Sequence, residues 1–213
     1  NLNPNLIRVL CGMNRKKMRA LKSQKLLTKK LSDSEQSSGQ NQRILWQNAL
    51  QNLNSGNPTG ALPYLQKLLS FNPDNGELLF NFGACLFEIG DFLAASKQLK
   101  KAVKTGLKNP QLLPLLAKSL NSTELNDEAI LTYKLAIEQN PEQTELIEQI
   151  WQVFDQLNNY DEAIQYFSYL KIEQGSLPVL LRNIGRACLK TERYSDADNV
   201  LSELLNQNQN DEV

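Results

Sequence analysis

The strongest constraint on this chain is a set of alanines at a fixed interval. Ala61, Ala95, Ala129, Ala163 and Ala197 are spaced 34 residues apart without one insertion. A second series leads it by 12 residues: Ala49, Gly83, Ala117, Trp151 and Gly185. A third trails the alanines by four, as Leu65, Leu99, Tyr133, Phe167 and Leu201, and a fourth follows as Leu68, Ala102, Ala136, Leu170 and Leu204. Coincident series at one period specify a repeat whose units cannot bury their apolar faces alone and must stack on one another.

Each series has a physical reason if the unit is a pair of antiparallel helices. One helix needs a small residue where the other crosses, which Gly or Ala supplies at 49, 83, 117 and 185, and the alanine series gives the facing flat surface. Leu, Phe and Tyr three or four residues away share that helical face and fill the space around the crossing. Trp151 breaks the small-residue rule, so the fourth pair is expected to be splayed, or the indole to fill a gap at the neighbouring repeat.

Proline and asparagine punctuate the units. Asn72–Pro73 and Asn140–Pro141 close the first and third repeats. Asn109–Pro110 and Leu177–Pro178 are expected to start the third and fifth, with proline at a first helical position where its missing N–H costs nothing. "NNYDEA" (158–163) and "TERYSDA" (191–197) put acids in the first turn of a second helix, as the helix dipole favours. Pro63 and Pro114 fit less well, since proline inside a helix costs about 3 kcal/mol. Late helix starts that leave each proline in a first turn are expected, with kinks as the alternative.

From Gln42 onward the chain resembles the tetratricopeptide repeat family, most cleanly in "LLFNFGACLFEIGDFLAASKQLKKA" (78–102) and "LLRNIGRACLKTERYSDADNVLSEL" (180–204). The resemblance implies an all-α, right-handed superhelical solenoid of antiparallel helix pairs. Five repeats are expected near 42–75, 76–109, 110–143, 144–177 and 178–211, after a basic leader helix and polar linker over 1–41.

Hydrophobic residues at 41% and charged residues at 22% suit a folded, water-exposed chain and exclude disordered or collagen-like ones. No apolar stretch approaches the ~20 residues of a membrane span, and no apolar region of a secretion signal follows the basic run at 15–30. Cys11, Cys85 and Cys188 are odd in number and lack CxxC spacing, which points to reduced thiols packed as small hydrophobes in the cytoplasm.

The zero net charge divides unevenly: residues 1–41 carry +7 and the remainder −7. Residues 15–30 can form a basic amphipathic helix with Met18, Leu21, Leu26, Leu27 and Leu31 on its apolar side. Nucleic acid or an anionic membrane surface is one class of partner for residues 8–30. Packing of this helix on the first repeat is the other reading. Met13 opens "MNRKKMRALKSQ", similar to the basic start of some bacterial tetratricopeptide proteins, and is a candidate start residue. At the other end the last helix is expected to stop near Leu205. That would leave Val200, Leu201 and Leu204 partly uncovered, so a longer native chain, a dimer through this repeat, or fraying is expected.

No histidine occurs in the chain, which removes the usual general base, the Ser-His-Asp triad and His-based zinc sites. The ten glycines form no phosphate-binding loop. Asp127/Glu128 and Asp161/Glu162 read as helix-start acids rather than catalytic pairs. Neither cofactor nor metal is expected, and the 213 residues argue for no active site.

The resemblance implies that the first helix of each pair lines a concave groove for a peptide or partner segment. The candidate groove residues are Trp46 and Leu50; Phe80, Asn81 and Phe87; Lys118; Gln149 and Gln152; and Arg182, Asn183 and Arg186. Arg182 and Arg186 are one turn apart and suit a carboxylate or phosphate, with Arg–Glu pairing between repeats four and five as the alternative. Trp46 and Phe80 are groove anchors or pack against the leader helix. Chaperone-binding members carry a carboxylate clamp, but here its positions hold Trp46, Leu50, Asn81, Gln111 and Leu115, of which Asn81 alone fits. The leading expectation is a protein-interaction scaffold. The alternative is the N-terminal array of a bacterial methyltransferase, sulfotransferase or glycosyltransferase.

Overall fold

The computed structural model describes residues 39–210, with side chains to residue 207, and places the expected leader helix outside the described residues. Those residues form ten helices and no strand: α1 (39–54), α2 (Pro58–Phe71), α3 (Gly76–Glu88), α4 (Phe92–Lys104), α5 (Leu112–Asn121), α6 (Asn126–Gln139), α7 (Thr144–Gln156), α8 (Tyr160–Gln174), α9 (Pro178–Lys190) and α10 (Tyr194–Asn210). The architecture is an all-α solenoid of antiparallel helix pairs. Residues 39–41, read from sequence as the end of the polar linker, already belong to α1.

The described residues divide into two compact units, the first ending at Leu68 and the second beginning at Leu69. In the first, Ala49, Ala61 and Leu65 are fully buried, and Asn57 Nδ2 donates to Asn52 Oδ1 at 3.0 Å across the α1–α2 turn. In the second, α3 packs on α4, α5 on α6 and α9 on α10, while α4, α6 and α8 each pack on the first helix of the next pair.

The small-residue rule has a direct cause. A Cβ added at Gly83 would lie 2.8 Å from Leu99 Cγ, and one at Gly185 would lie 2.7 Å from Leu201 Cδ2. The second and third series therefore interlock: a missing side chain on the first helix is the seat of a leucine on the second. All five alanines of the founding series are buried to within 1%. Where Trp151 replaces the small residue, α7 and α8 touch far less than the other pairs of this unit. The indole is nonetheless buried, with its ring 6.2 Å from Tyr160 and 6.5 Å from Phe167. The first alternative holds, since the pair is splayed; the indole fills the opening within its own pair, against α8, rather than a gap at the neighbouring repeat.

The turn between the helices of each pair reveals a fifth series that the sequence reading missed. Gly56, Gly90, Glu124, Asn158 and Glu192, again 34 residues apart, all have positive φ, from 53° to 86°. The next N–H in each case, from Asn57, Asp91, Leu125, Asn159 and Arg193, donates to the carbonyl five residues back, the six-to-one bond that closes a helix C-terminus. A signal was present in Gly56 and Gly90, but two glutamates and an asparagine disguised it.

The prolines divide. Pro114 is the third residue of α5, within the first turn, so the expected late start holds. Pro63 does not follow: α2 begins at Pro58 and Pro63 lies inside it, leaving the Thr59 carbonyl without its helical donor. Pro178 opens α9 as expected. Pro110 does not open α5; it lies in a turn two residues ahead, where Asn109 Oδ1 accepts from the Gln111 N–H at 2.9 Å. The last helix also runs past Leu205 to Asn210, because Gln207 Nε2 donates to the Ser176 carbonyl at 2.9 Å and holds that turn down. Val200, Leu201 and Leu204 are half-buried.

Candidate functional site

The first helices of the second unit, α3, α5, α7 and α9, carry nine of the candidate groove residues, and the structure treats them differently. Phe80 is half-buried and packs on the cluster of Leu79, Leu99, Leu112 and Leu116. Phe87 meets Phe92 edge to face, with ring centres 5.2 Å apart, so it anchors the start of α4. Asn81 Nδ2 donates to its own helix at the Glu77 carbonyl, 2.8 Å away. Asn81 and Phe87 are thus engaged within the repeat that carries them, and Phe80 by a cluster shared with the next repeat.

A more organised constellation joins α7 to α9. Asn183 is fully buried. Its Nδ2 donates to Glu148 Oε2 at 3.3 Å, and Arg186 Nη1 donates to Glu148 Oε1 at 2.8 Å and to Asn183 Oδ1 at 3.1 Å. The guanidinium also lies 6.0 Å from the centre of the Trp151 ring, within range of cation–π attraction. Arg186 is thus paired with a glutamate of the preceding repeat, the second of the two readings offered by the sequence. Arg182, one turn earlier, is exposed and takes no part in that pairing.

Between α5 and α7 lies a cleft of about 330 Å³ lined by Gln111, Pro114, Lys118, Glu145 and Gln149 among others. Gln149 Nε2 donates to Glu145 Oε1 at 2.8 Å, which turns its carbonyl oxygen away, buried and without a partner. Asn121 Oδ1, three residues beyond Lys118 on α5, is likewise buried and unpartnered. Gln152 is exposed on α7. Trp46 (half-buried) and Leu50 (exposed) lie on α1, in the first unit. Sequence reasoning found Gln149 and Lys118, but the orphaned oxygens depend on side-chain geometry that no spacing rule supplies.

Titratable groups here serve structure. Burial, reinforced by Glu88, pushes the Cys85 thiol up to about 11, and burial with Asp196 raises that of Cys188. Both thiols are free and buried, as the small-hydrophobe reading requires; Cys11 lies outside the described residues. The Asp127/Glu128 and Asp161/Glu162 pairs occupy the first turns of α6 and α8. Glu128 and Glu162 bond lysines of the preceding second helix, Lys100 and Lys134. Among the described residues no cluster of three or more His, Cys, Asp or Glu side chains is placed to hold a metal ion. Nor is any helix among them long and apolar enough to cross a membrane.

The tetratricopeptide repeat family pattern matches residues 52–119 and 156–213, more than half of the chain. No curated protein matches the sequence. Similar solved structures include MamA, with 20% identity, a TM-score of 0.65 and coverage of 80% of this chain and 93% of that one. MamA from residue 41 to its end, from Desulfovibrio magneticus RS-1, has 14% identity, a TM-score of 0.60 and coverage of 79% and 96%. At such identities the likeness is one of fold. Neither comparison supports the alternative of a larger enzyme's N-terminal module. With the 34-residue period, the interlocked helix pairs and the family match in agreement, the chain belongs to the tetratricopeptide repeat family.

Proposed function

We propose that this protein is a protein–protein interaction scaffold that captures an extended peptide or partner segment on the first-helix face of its repeats. The observation that carries this reading is the cleft between α5 and α7, lined by Lys118, Glu145 and Gln149, in which Gln149 Oε1 has no hydrogen-bond partner. A buried acceptor left unsatisfied costs about 1–3 kcal/mol, and the N–H groups of an extended backbone are suited to supply what is missing. Lys118 and Glu145 frame the same cleft with opposite charges, which favours a ligand of mixed charge. In this reading residues 42–213 carry binding and residues 1–41 are an accessory basic segment. Free buried thiols support residence in a reducing bacterial cytoplasm.

Selection of a random peptide library against the full chain tests the proposal. Enriched peptides should bind with micromolar affinity and lose about tenfold on Gln149→Ala or Lys118→Glu. Failure to enrich any sequence, or peptides indifferent to both substitutions, would remove this assignment.

A further inference from the structure

The second helices turn a face to solvent that neither the stacking nor the proposed peptide cleft uses. Within the second unit, one row on that face, at the repeat period, reads Lys101, Leu135, Tyr169 and Glu203. Ion pairs Lys100–Glu128, Lys134–Glu162 and Lys171–Glu203 link α4 to α6, α6 to α8 and α8 to α10 in succession. Its centre is unusually apolar for a surface: Leu135 is 43% and Tyr169 52% exposed, flanked by Leu131 at 61% and Ile172 at 81%. Single exposed apolar side chains need no explanation, but two on one face of α6 and two on one face of α8, helices linked by Lys134–Glu162, mark an interaction surface.

The order of charges identifies the occupant. Along the stack the row runs basic, apolar, apolar, acidic. Turned by half a revolution about an axis between α6 and α8, it becomes its own complement. Lys101 then faces Glu203 of a second copy, Leu135 faces Tyr169 of that copy, and each contact occurs twice. This is the arrangement of a two-fold, isologous interface. Glu203 is already positioned by Lys171 and Ser176, so its carboxylate needs little further ordering. An anionic membrane would meet the acidic end with repulsion, and a partner of one charge sign would match only half of the row.

We propose that this face is a self-association surface, joining two copies of the chain through α6 and α8. The band is small, so the dimer is weak and forms in the micromolar range. The inference is independent of the peptide-binding reading. It also uses a different surface from the side of α10 that carries the exposed Leu205.

Sedimentation velocity of the full chain across the micromolar range is the test. A reversible dimer is expected, with Leu135→Glu and Ile172→Glu each raising its dissociation constant about a hundredfold. Both positions are exposed, so circular dichroism and melting should be unchanged. Lys101→Glu and Glu203→Lys should each weaken the homodimer by setting like charges together. An equimolar mixture of those two variants should restore dimerisation, since both cross-contacts are then complementary. Should Glu203→Lys unfold through loss of Lys171, the two apolar variants and Lys101→Glu decide alone. A chain that stays monomeric throughout, or a dimer that survives both apolar substitutions, or one abolished instead by Leu205→Glu, would overturn the proposal.

Discussion

Glu124 and Glu192 occupy left-handed backbone conformations with φ of 61°, at turn positions where two other repeats use glycine. A side chain with a Cβ is disfavoured there by roughly 1 kcal/mol. Glu124→Gly and Glu192→Gly should therefore each stabilise the fold by about that amount, as read in urea denaturation; a destabilisation would contradict the turn geometry. The helix crossings give the opposite case. Gly83→Ala forces a methyl against Leu99, which is fully buried and has nowhere to move, whereas Gly185→Ala meets Leu201, which is half-buried. Overpacking of a closed site costs about 1–3 kcal/mol. The first substitution should cost an amount in that range and the second distinctly less, as denaturation midpoints will show.

At the scale of the element, α2 is the helix whose sequence and structure agree least. Pro63 lies in its interior and is exposed, so it costs a backbone hydrogen bond without contributing packing. Pro63→Ala should stabilise the chain by about 1–3 kcal/mol, measurable as a rise in melting temperature. An unchanged or lowered melting temperature would mean that the proline is compensated elsewhere. The fourth pair shows another compromise. Tryptophan at a crossing reserved for glycine or alanine holds α7 and α8 apart, and the opening is closed by aromatic rings and by Arg186 from the next repeat. The sequence revealed the irregularity through one residue. How the gap is filled required the positions of Tyr160 and Phe167, which belong to a different helix.

At the largest scale, the second helices α4, α6, α8 and α10 are joined in succession by surface ion pairs whose individual worth is small. Their acids nevertheless give the chain a direction of pH sensitivity. Hydrogen bonding from Lys134, helped by Asn159, holds the Glu162 carboxyl below its usual value against the opposing effect of burial. Lys171 and Ser176 do the same for Glu203. A carboxyl whose folded pKa is depressed contributes stability above its unfolded value, about 4.3, and loses it as pH falls through the folded one. Unfolding free energy should thus decline between about pH 5 and pH 3, and Glu162→Gln should flatten part of that decline. An acid limb identical to that of the unsubstituted protein would show that the pair contributes nothing.

The sequence by itself determined the repeat length, the number of helix pairs, the crossing points and the acids at second-helix starts. All of these are local or strictly periodic, so a residue's type and its distance along the chain carry the information. It also placed Lys118 and Gln149 on first helices, where they lie on α5 and α7. Only the tertiary structure decided which of the groove candidates are spent on packing, as Phe87 is, and which are paired across repeats, as Arg186 and Asn183 are with Glu148. It also decided that the left-handed turn persists where glycine is absent. The reason is that a helical face has more than one neighbour. Periodicity says which residues share a face, but the offset between stacked repeats sets which side chains meet, and that offset is fixed by packing volume and hydrogen-bond geometry rather than by spacing.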